Sequence, residues 1–309
     1  MSNLIEKAAL RLEQLRAAGV DVPAAGEPTR PVVPNAPKAA QPAAPARVSK
    51  SVKIDLGALL KAGFVTPNAP KTVIADQYRV IKRPLLDNVA GKGAAPVAHA
   101  NRIMVTSAMP GEGKSFTAIN LAMSIAMELD YRVLLVDADV ARPSLLKTFG
   151  LPASAGLLDL LEDDRIDLSQ TLLRTNVDKL SLLPSGTPHP RATELLASDA
   201  MSSLIDEMGQ RYPDRIIIFD SPPLLQTTES RVLATHMGQI VVVVQAGKTL
   251  QSQVQHALTT IQSCPVKMMV LNQAGARTGH GYGYGYGYGY DSDAAAGDDG
   301  KVADVANAS

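Results

Sequence analysis

The stretch Thr106-Ser-Ala-Met-Pro-Gly-Glu-Gly-Lys-Ser115 decides how the rest of the chain is read. An apolar run, Ile103-Met104-Val105, precedes it, and residues at helical spacing follow from Phe116 to Leu129. A strand, a glycine-rich turn and Lys-Ser at a helix start form a phosphate-cradling P-loop. Gly111 and Gly113 let backbone N–H groups close around phosphate oxygens, where a Cβ would intrude. The helix start at Lys114 adds its positive dipole end beneath the same phosphates. Lys114 supplies a cation for the β and γ phosphates, and Ser115 a hydroxyl for Mg2+. Where the pattern G-x-x-x-x-G-K-[ST] begins with glycine, this chain has Ala108.

Two later runs complete the site on paper. Arg132-Val-Leu-Leu-Val-Asp-Ala-Asp139 is a continuous apolar stretch ending in two carboxylates, Asp137 and Asp139. A run without alternation suits a parallel strand covered on both faces, and such sheets place ligands outside their strand C-termini. Arg215-Ile-Ile-Ile-Phe-Asp220 repeats that logic in a Walker-B-like pattern, with Asp220 placed to hold the shell of a Mg2+ ion. Further strands are expected at Leu180–Leu183, Ile240–Val244 and Met268–Leu271, with helical segments between, among them Thr193–Leu196, Met201–Met208 and Gln251–Ile261. Strands alternating with helices predict a doubly wound, mostly parallel α/β sheet over 101–274.

Composition narrows the class. Of 309 residues, 46% are hydrophobic and 19% charged, enough for a buried core in a soluble chain. Net charge is zero, so no bulk attraction to nucleic acid or membrane is implied. The balance is uneven: residues 1–100 carry 14 Lys/Arg against 7 Asp/Glu, a net of +7 that leaves −7 for the remainder. Cys264 is the single cysteine, so no intramolecular disulfide can form. With no apolar run near the roughly 18 residues that span a bilayer, and no signal-peptide core after Met1, the expectation is a cytoplasmic protein whose membrane contact is peripheral.

Outside the α/β region the chain divides further. Leu4, Ile5, Ala8, Leu12 and Leu15 predict an amphipathic helix within 1–20, capped by Asn3 and Glu6. Prolines crowd 21–50, which reads as a linker. In the segment 51–100, Ile74 to Arg83 predicts a helix ending near Pro84, with Asp76, Arg79 and Lys82 on one face. A solvated surface accounts for that face as well as an oligomer contact does. Residues 275–309 form a tail in which 281–290 read Gly-Tyr five times over, placing Tyr282, Tyr284, Tyr286, Tyr288 and Tyr290 on a glycine backbone. The spacer from Asn272 to Tyr282 reaches at most roughly 35 Å, far enough for a nucleotide site on the same or a neighbouring subunit. An adhesive low-complexity tail is the plainer alternative.

Taken together, these motifs resemble the bacterial tyrosine kinases of polysaccharide export, most closely the soluble autokinases that accompany exosortase systems. Pro110-Gly-Glu-Gly-Lys-Ser115 is similar to the family's Walker A, Asp137-Ala-Asp139 with Arg142-Pro143 to its Walker A′, and Ile217-Ile-Phe-Asp-Ser-Pro-Pro223 to its Walker B. The resemblance implies a protein-tyrosine autokinase using ATP and Mg2+, with Met109, Pro110, Gly111, Glu112, Gly113, Lys114, Ser115, Phe116 and Asn272 binding nucleotide. Ser115, Asp137, Asp139 and Asp220 would serve the metal. Lys114, Asp137, Asp139 and Asp220 would carry catalysis, with Asp137 or Asp139 accepting the tyrosine proton. It further implies a homo-oligomer, in ring form, and a membrane-embedded chain-length-determinant partner. The family's oligomerisation motif, Glu-x-x-Arg-x-x-Arg, is represented by Asp76, Arg79 and Lys82. Two rivals remain. A positioning or partition ATPase would carry a second P-loop lysine where Met109 stands. A non-catalytic nucleotide-binding scaffold would bind ATP without turnover.

Overall fold

The apolar runs become strands whose alternate residues serve two different cores. Ile103, Val105, Val133, Leu135 and Ile218 point into one, Met104, Leu134, Val136, Ile217 and Phe219 into the other. A strand buried on both faces has no polar side to show, which is why these segments carry no hydrophobic alternation. The computed structural model describes residues 50–67, 71–212 and 214–275. The expected N-terminal helix, the linker up to residue 49 and the Gly-Tyr segment with its acidic tail lie outside the described residues.

In chain order the elements are β1 (Lys50–Ser51), α1 (Leu56–Lys61), α2 (Val73–Val89), β2 (Arg102–Ser107), α3 (Lys114–Ala126) and β3 (Arg132–Asp137). There follow α4 (Leu145–Thr148), α5 (Leu157–Glu162), α6 (Leu168–Thr171), β4 (Leu173–Arg174), β5 (Leu180–Leu183), α7 (Ala192–Leu196) and α8 (Asp199–Arg211). The last are β6 (Arg215–Asp220), α9 (Glu229–Ala234), β7 (Gln239–Gln245), α10 (Gln251–Thr259) and β8 (Val266–Asn272). The described strands form one sheet in the order β1-β4-β5-β3-β6-β2-β7-β8. Every neighbouring pair is parallel except β4 with β5. The P-loop strand β2 therefore lies between β6 and β7, with β3 one place beyond β6, so the loops after β2, β3 and β6 share one end of the sheet. No helix among the described residues is long and apolar enough to cross a membrane.

Three local expectations change. The helix expected to end near Pro84 continues to Val89 with the proline inside it. Proline removes the donor that would serve the Val80 carbonyl, but Val80 is 74% exposed, while Leu85 and Leu86 beyond it are buried and hold the last turn down. Asp76, Arg79 and Lys82 do not share a face. Asp76 and Arg79 pair on the surface, whereas Lys82 is buried, its Nζ donating to the Ser124 carbonyl at 2.6 Å and pairing with Glu128 at 2.7 Å. The P-loop helix stops at Ala126 rather than Leu129, because Lys179 Nζ reaches across to the Glu128 and Leu129 carbonyls at 2.8 and 2.9 Å.

Candidate active site at the carboxyl ends of the strands

The turn after β2 folds as its glycines require. Gly111 and Gly113 have φ of 82° and 94°, left-handed values that a side chain resists. Ala108 is not among the residues with positive φ, so the missing first glycine of the motif costs the backbone nothing. A Cβ on Gly113 would stand 2.0 Å from Asn272 Nδ2, and that amide donates to the Glu112 carbonyl at 2.9 Å. Glu112 is itself buried: one oxygen accepts from the Met109 N–H at 2.7 Å and the other from the Thr249 hydroxyl. Gln273 Nε2 adds a bond to the Gly111 carbonyl at 3.2 Å. The loop is thus held open from β7 and β8 as well as by its own sequence.

Charge gathers around Lys114, the first residue of α3. Its Nζ lies 2.6 Å from Asp139 Oδ2, 3.8 Å from Asp220 Oδ1 and 3.3 Å from Ser115 Oγ. Burial works against the ammonium, but Asp220 and Asp139 outweigh it and hold the lysine above its ordinary range. Asp137 is pushed up to about 7, first by burial and then by the Asp220 charge, although the Ser144 and Leu145 N–H groups donate to its Oδ2 at 3.1 and 3.0 Å. Asp220, fully buried, rises to about 6 through burial, with Lys114 opposing. Asp139 is positioned by the Arg142 N–H at 3.2 Å.

The donor set fits a nucleotide and a divalent cation. Both carboxylate oxygens of Asp220 and Oδ1 of Asp137 are buried without a hydrogen-bond partner. Such orphans are costly unless something completes them. No group of three or more His, Cys, Asp or Glu side chains among the described residues is placed to hold a metal ion. Mg2+ takes one or two carboxylates and completes its shell with phosphate and water. A cavity of about 150 Å³ opens here, lined by Gly111, Lys114, Asp139, Arg142 and Pro222. A larger one of about 610 Å³ lies between α2 and β8, with Phe116 and Asn272 on its wall. Phe116 packs there against Phe64, ring centroids 4.9 Å apart.

The sequence matches a family model described as an AAA domain over residues 100–272. It is 32% identical to the tyrosine-protein kinase YwqD of Bacillus subtilis (strain 168), over 69% of this chain and 86% of that protein. The chain belongs to the bacterial tyrosine-kinase family. Accordingly it is an enzyme of the protein-tyrosine kinase class on a P-loop scaffold. The tyrosine-protein kinase ptk of Acinetobacter johnsonii is 34% identical over 55% of this chain, which spans only 23% of that longer protein. The kinase domain of the Escherichia coli tyrosine kinase ETK, 23% identical, superimposes with a TM-score of 0.59 over 78% of this chain and 94% of its own, which supports the fold.

The fold brings Met109, Pro110, Gly111, Glu112, Gly113, Lys114 and Ser115 together with Asp137, Asp139 and Asp220. Phe116 and Asn272 stand on the far side of the loop, and Asp76, Arg79 and Lys82 belong to α2, away from the carboxylates. Thr249 and Gln273 complete the site without having been marked in the sequence, because they follow β7 and β8 with no pattern of their own. Arg142 was quoted with the Walker A′ run but given no role of its own. Tyr282 to Tyr290 lie outside the described residues.

Proposed function

We propose that this kinase phosphorylates the tyrosines of its own Gly-Tyr segment, Tyr282, Tyr284, Tyr286, Tyr288 and Tyr290. The observation that carries the reading is the set of buried, unpartnered carboxylate oxygens grouped around one P-loop lysine. Bound Mg-ATP supplies the transferable γ-phosphoryl group. Backbone N–H groups from Gly111 to Ser115 would hold its phosphates, and Lys114, now on Asp139, would turn to them. Ser115 and Asp220 would hold the metal, with the unpartnered oxygen of Asp137 available to its shell. Asp139 lines the open cavity, whereas Asp137 does not. Asp139 is therefore the carboxylate we assign to accept the phenol proton, once Lys114 turns to phosphate. Phe116 and Asn272, on the wall of the larger cavity, would receive the base of the nucleotide.

Each phosphotyrosine adds roughly −1.5 to −2 charges. Five within ten residues would make neighbouring tails repel, so the tails are phosphorylated between copies of an oligomer that then loosens. The exposed Asp76 and Arg79 remain available for such an assembly, while Lys82 serves its own subunit. Following the family resemblance, the kinase works at the cytoplasmic face with a membrane-embedded chain-length-determinant partner and regulates polysaccharide export. In this scheme the chain divides into an N-terminal helix at 1–20, a linker at 21–50, a segment 51–100 ahead of the core, the kinase domain at 101–274 and the tyrosine tail at 275–309. Incubation with Mg-ATP followed by mass spectrometry tests it. Phosphate on Tyr282 to Tyr290, absent in Lys114→Met, is the expected result; ATP turnover with an unmodified segment would point to the ATPase alternative.

A further inference from the structure

At the opposite end of the sheet, basic side chains converge on a second cavity. Arg132 and Arg215 open β3 and β6, and the parallel register sets them side by side. Arg174 ends β4, and Lys179 stands just before β5. Together with Ser51, Thr175 and Ser181 they line a polar cavity of about 270 Å³. Two carboxylates share this end of the sheet. Asp178 stands on the cavity wall, and Asp214 pairs with Arg132 at 3.3 Å, both of those side chains being 55% exposed.

The chain leaves two of these cations, Arg174 and Arg215, short of acceptors. Lys179 is committed to the end of α3. The Arg174 carbonyl accepts from the Val52 N–H at 2.8 Å, but its side chain makes no hydrogen bond or ion pair among the described residues. The Arg215 guanidinium lies over the Tyr212 ring, 3.9 Å from its centroid, but its Nη1 is buried with no acceptor. Burial, chiefly, and the charges of Arg132 and Arg174 hold Arg215 below its ordinary range, against Tyr212 and Asp214. A buried N–H without an acceptor is costly, and planar guanidinium forks match the oxygens of a phosphate group. A neutral ligand would leave the repulsion between the arginines in place, and a cation would worsen it. β3 and β6 each span six residues between this cavity and the P-loop end, about 17–20 Å at the usual rise. The two sites are therefore separate.

We propose that this cavity binds a phosphotyrosine of the chain's own 281–290 segment, held by Arg132, Arg174 and Arg215. The source of the ligand rests on the autokinase reading; the site itself does not. A modified tail thereby gains a docking place away from the nucleotide, and the kinase reads its own phosphorylation state.

The test uses the full, unphosphorylated chain saturated with Mg2+ and a non-hydrolysable ATP analogue, so that the P-loop is filled. A synthetic peptide of residues 281–290 carrying phosphotyrosine is titrated by calorimetry, beside the unphosphorylated peptide and inorganic phosphate. The phosphopeptide is expected to bind, with affinity falling about tenfold or more in Arg174→Ala and in Arg132→Ala, while the ATP analogue binds each variant as before. Equal binding of the unphosphorylated peptide, no effect of either substitution, or no binding at all would overturn the proposal. Inorganic phosphate binding as tightly as the phosphopeptide would overturn the assignment to tyrosine. Because the peptide is made synthetically, the outcome is independent of whether the enzyme phosphorylates those tyrosines itself.

Discussion

β3 and β6 are near-repeats, Arg132-Val-Leu-Leu-Val-Asp137 and Arg215-Ile-Ile-Ile-Phe-Asp220, lying in register from first residue to last. Their apolar middles fill both cores, and the same register forces like charges together at each end. At the carboxyl end Asp137 faces Asp220, and Lys114 answers them from α3. At the amino end Arg132 faces Arg215, and Asp214 pairs directly with Arg132 on the surface while acting on Arg215 through its charge alone. Like charges directly opposite one another oppose pairing. On the readings proposed above, the carboxyl end is a half-built cation site and the amino end a half-built anion site.

The largest effect expected falls on the carboxyl end. Asp220→Asn removes the charge we propose to hold the metal while leaving the shape of the strand tip. Tyrosine phosphorylation should drop by about a hundredfold or more, consistent with the cost of losing one electrostatic partner in a buried active site. Activity retained across a range of Mg2+ concentrations would mean that the orphaned oxygens of Asp220 have no metal to hold.

Next comes the cost of crowding carboxylates without their ligand. Asp137 has a folded pKa of about 7 against an ordinary value of 3.8, so between these values the folded state binds more protons than the unfolded. Stability of the nucleotide-free protein therefore falls as pH rises through that window. Asp137→Asn should raise stability by on the order of 1–3 kcal/mol at pH 8, with the gain shrinking by pH 5 and vanishing below pH 4. Denaturant melts at the three pH values measure this. A gain independent of pH would show that packing, not charge, separates the two proteins.

How much of this was legible beforehand follows from where each residue's partners lie. The P-loop, Asp137-Ala-Asp139 and Asp220 each stand in a contiguous run whose local chemistry is self-explanatory, and the strands follow from unbroken apolar stretches. The amino-end cluster was invisible. Its arginines were quoted at the head of each run, but nothing in the sequence states that β3 and β6 are neighbours, or that β4 and β5 bring Arg174 and Lys179 alongside. Lys82 failed for a related reason. Spacing along α2 placed it with Asp76 and Arg79, whereas its position is set by Glu128 and Ser124 on another helix. Pro84 misled because Val80, whose carbonyl it frees, is exposed, and the buried Leu85 and Leu86 hold the turn that follows.

Lys82 also provides a cation whose counter-charge the chain supplies in full. Replacing it by Met leaves the half-buried Glu128 with Arg83 alone, at 3.1 Å. The loss of a buried charge-assisted contact should cost about 1–3 kcal/mol by denaturant melts, without changing nucleotide affinity. An unchanged midpoint would indicate that the apolar contacts of α2 on α3 hold that junction without the ion pair.

Arg174 is the opposite case, and here the smallest effect is the informative one. Its side chain has no partner to lose and two arginine neighbours to stop repelling, so Arg174→Ala should leave stability unchanged or raise it by at most about 0.5 kcal/mol. A residue kept for folding would behave like Lys82; one kept for a ligand would behave as predicted here. Added salt sharpens the distinction, because screening relieves repulsion among exposed charges. The parent should gain stability from low to moderate salt, and the Arg174→Ala protein should gain less. If instead the substitution destabilises the free chain by 1 kcal/mol or more, the arginine has a structural partner. The amino end would then be complete in itself rather than waiting for an anion.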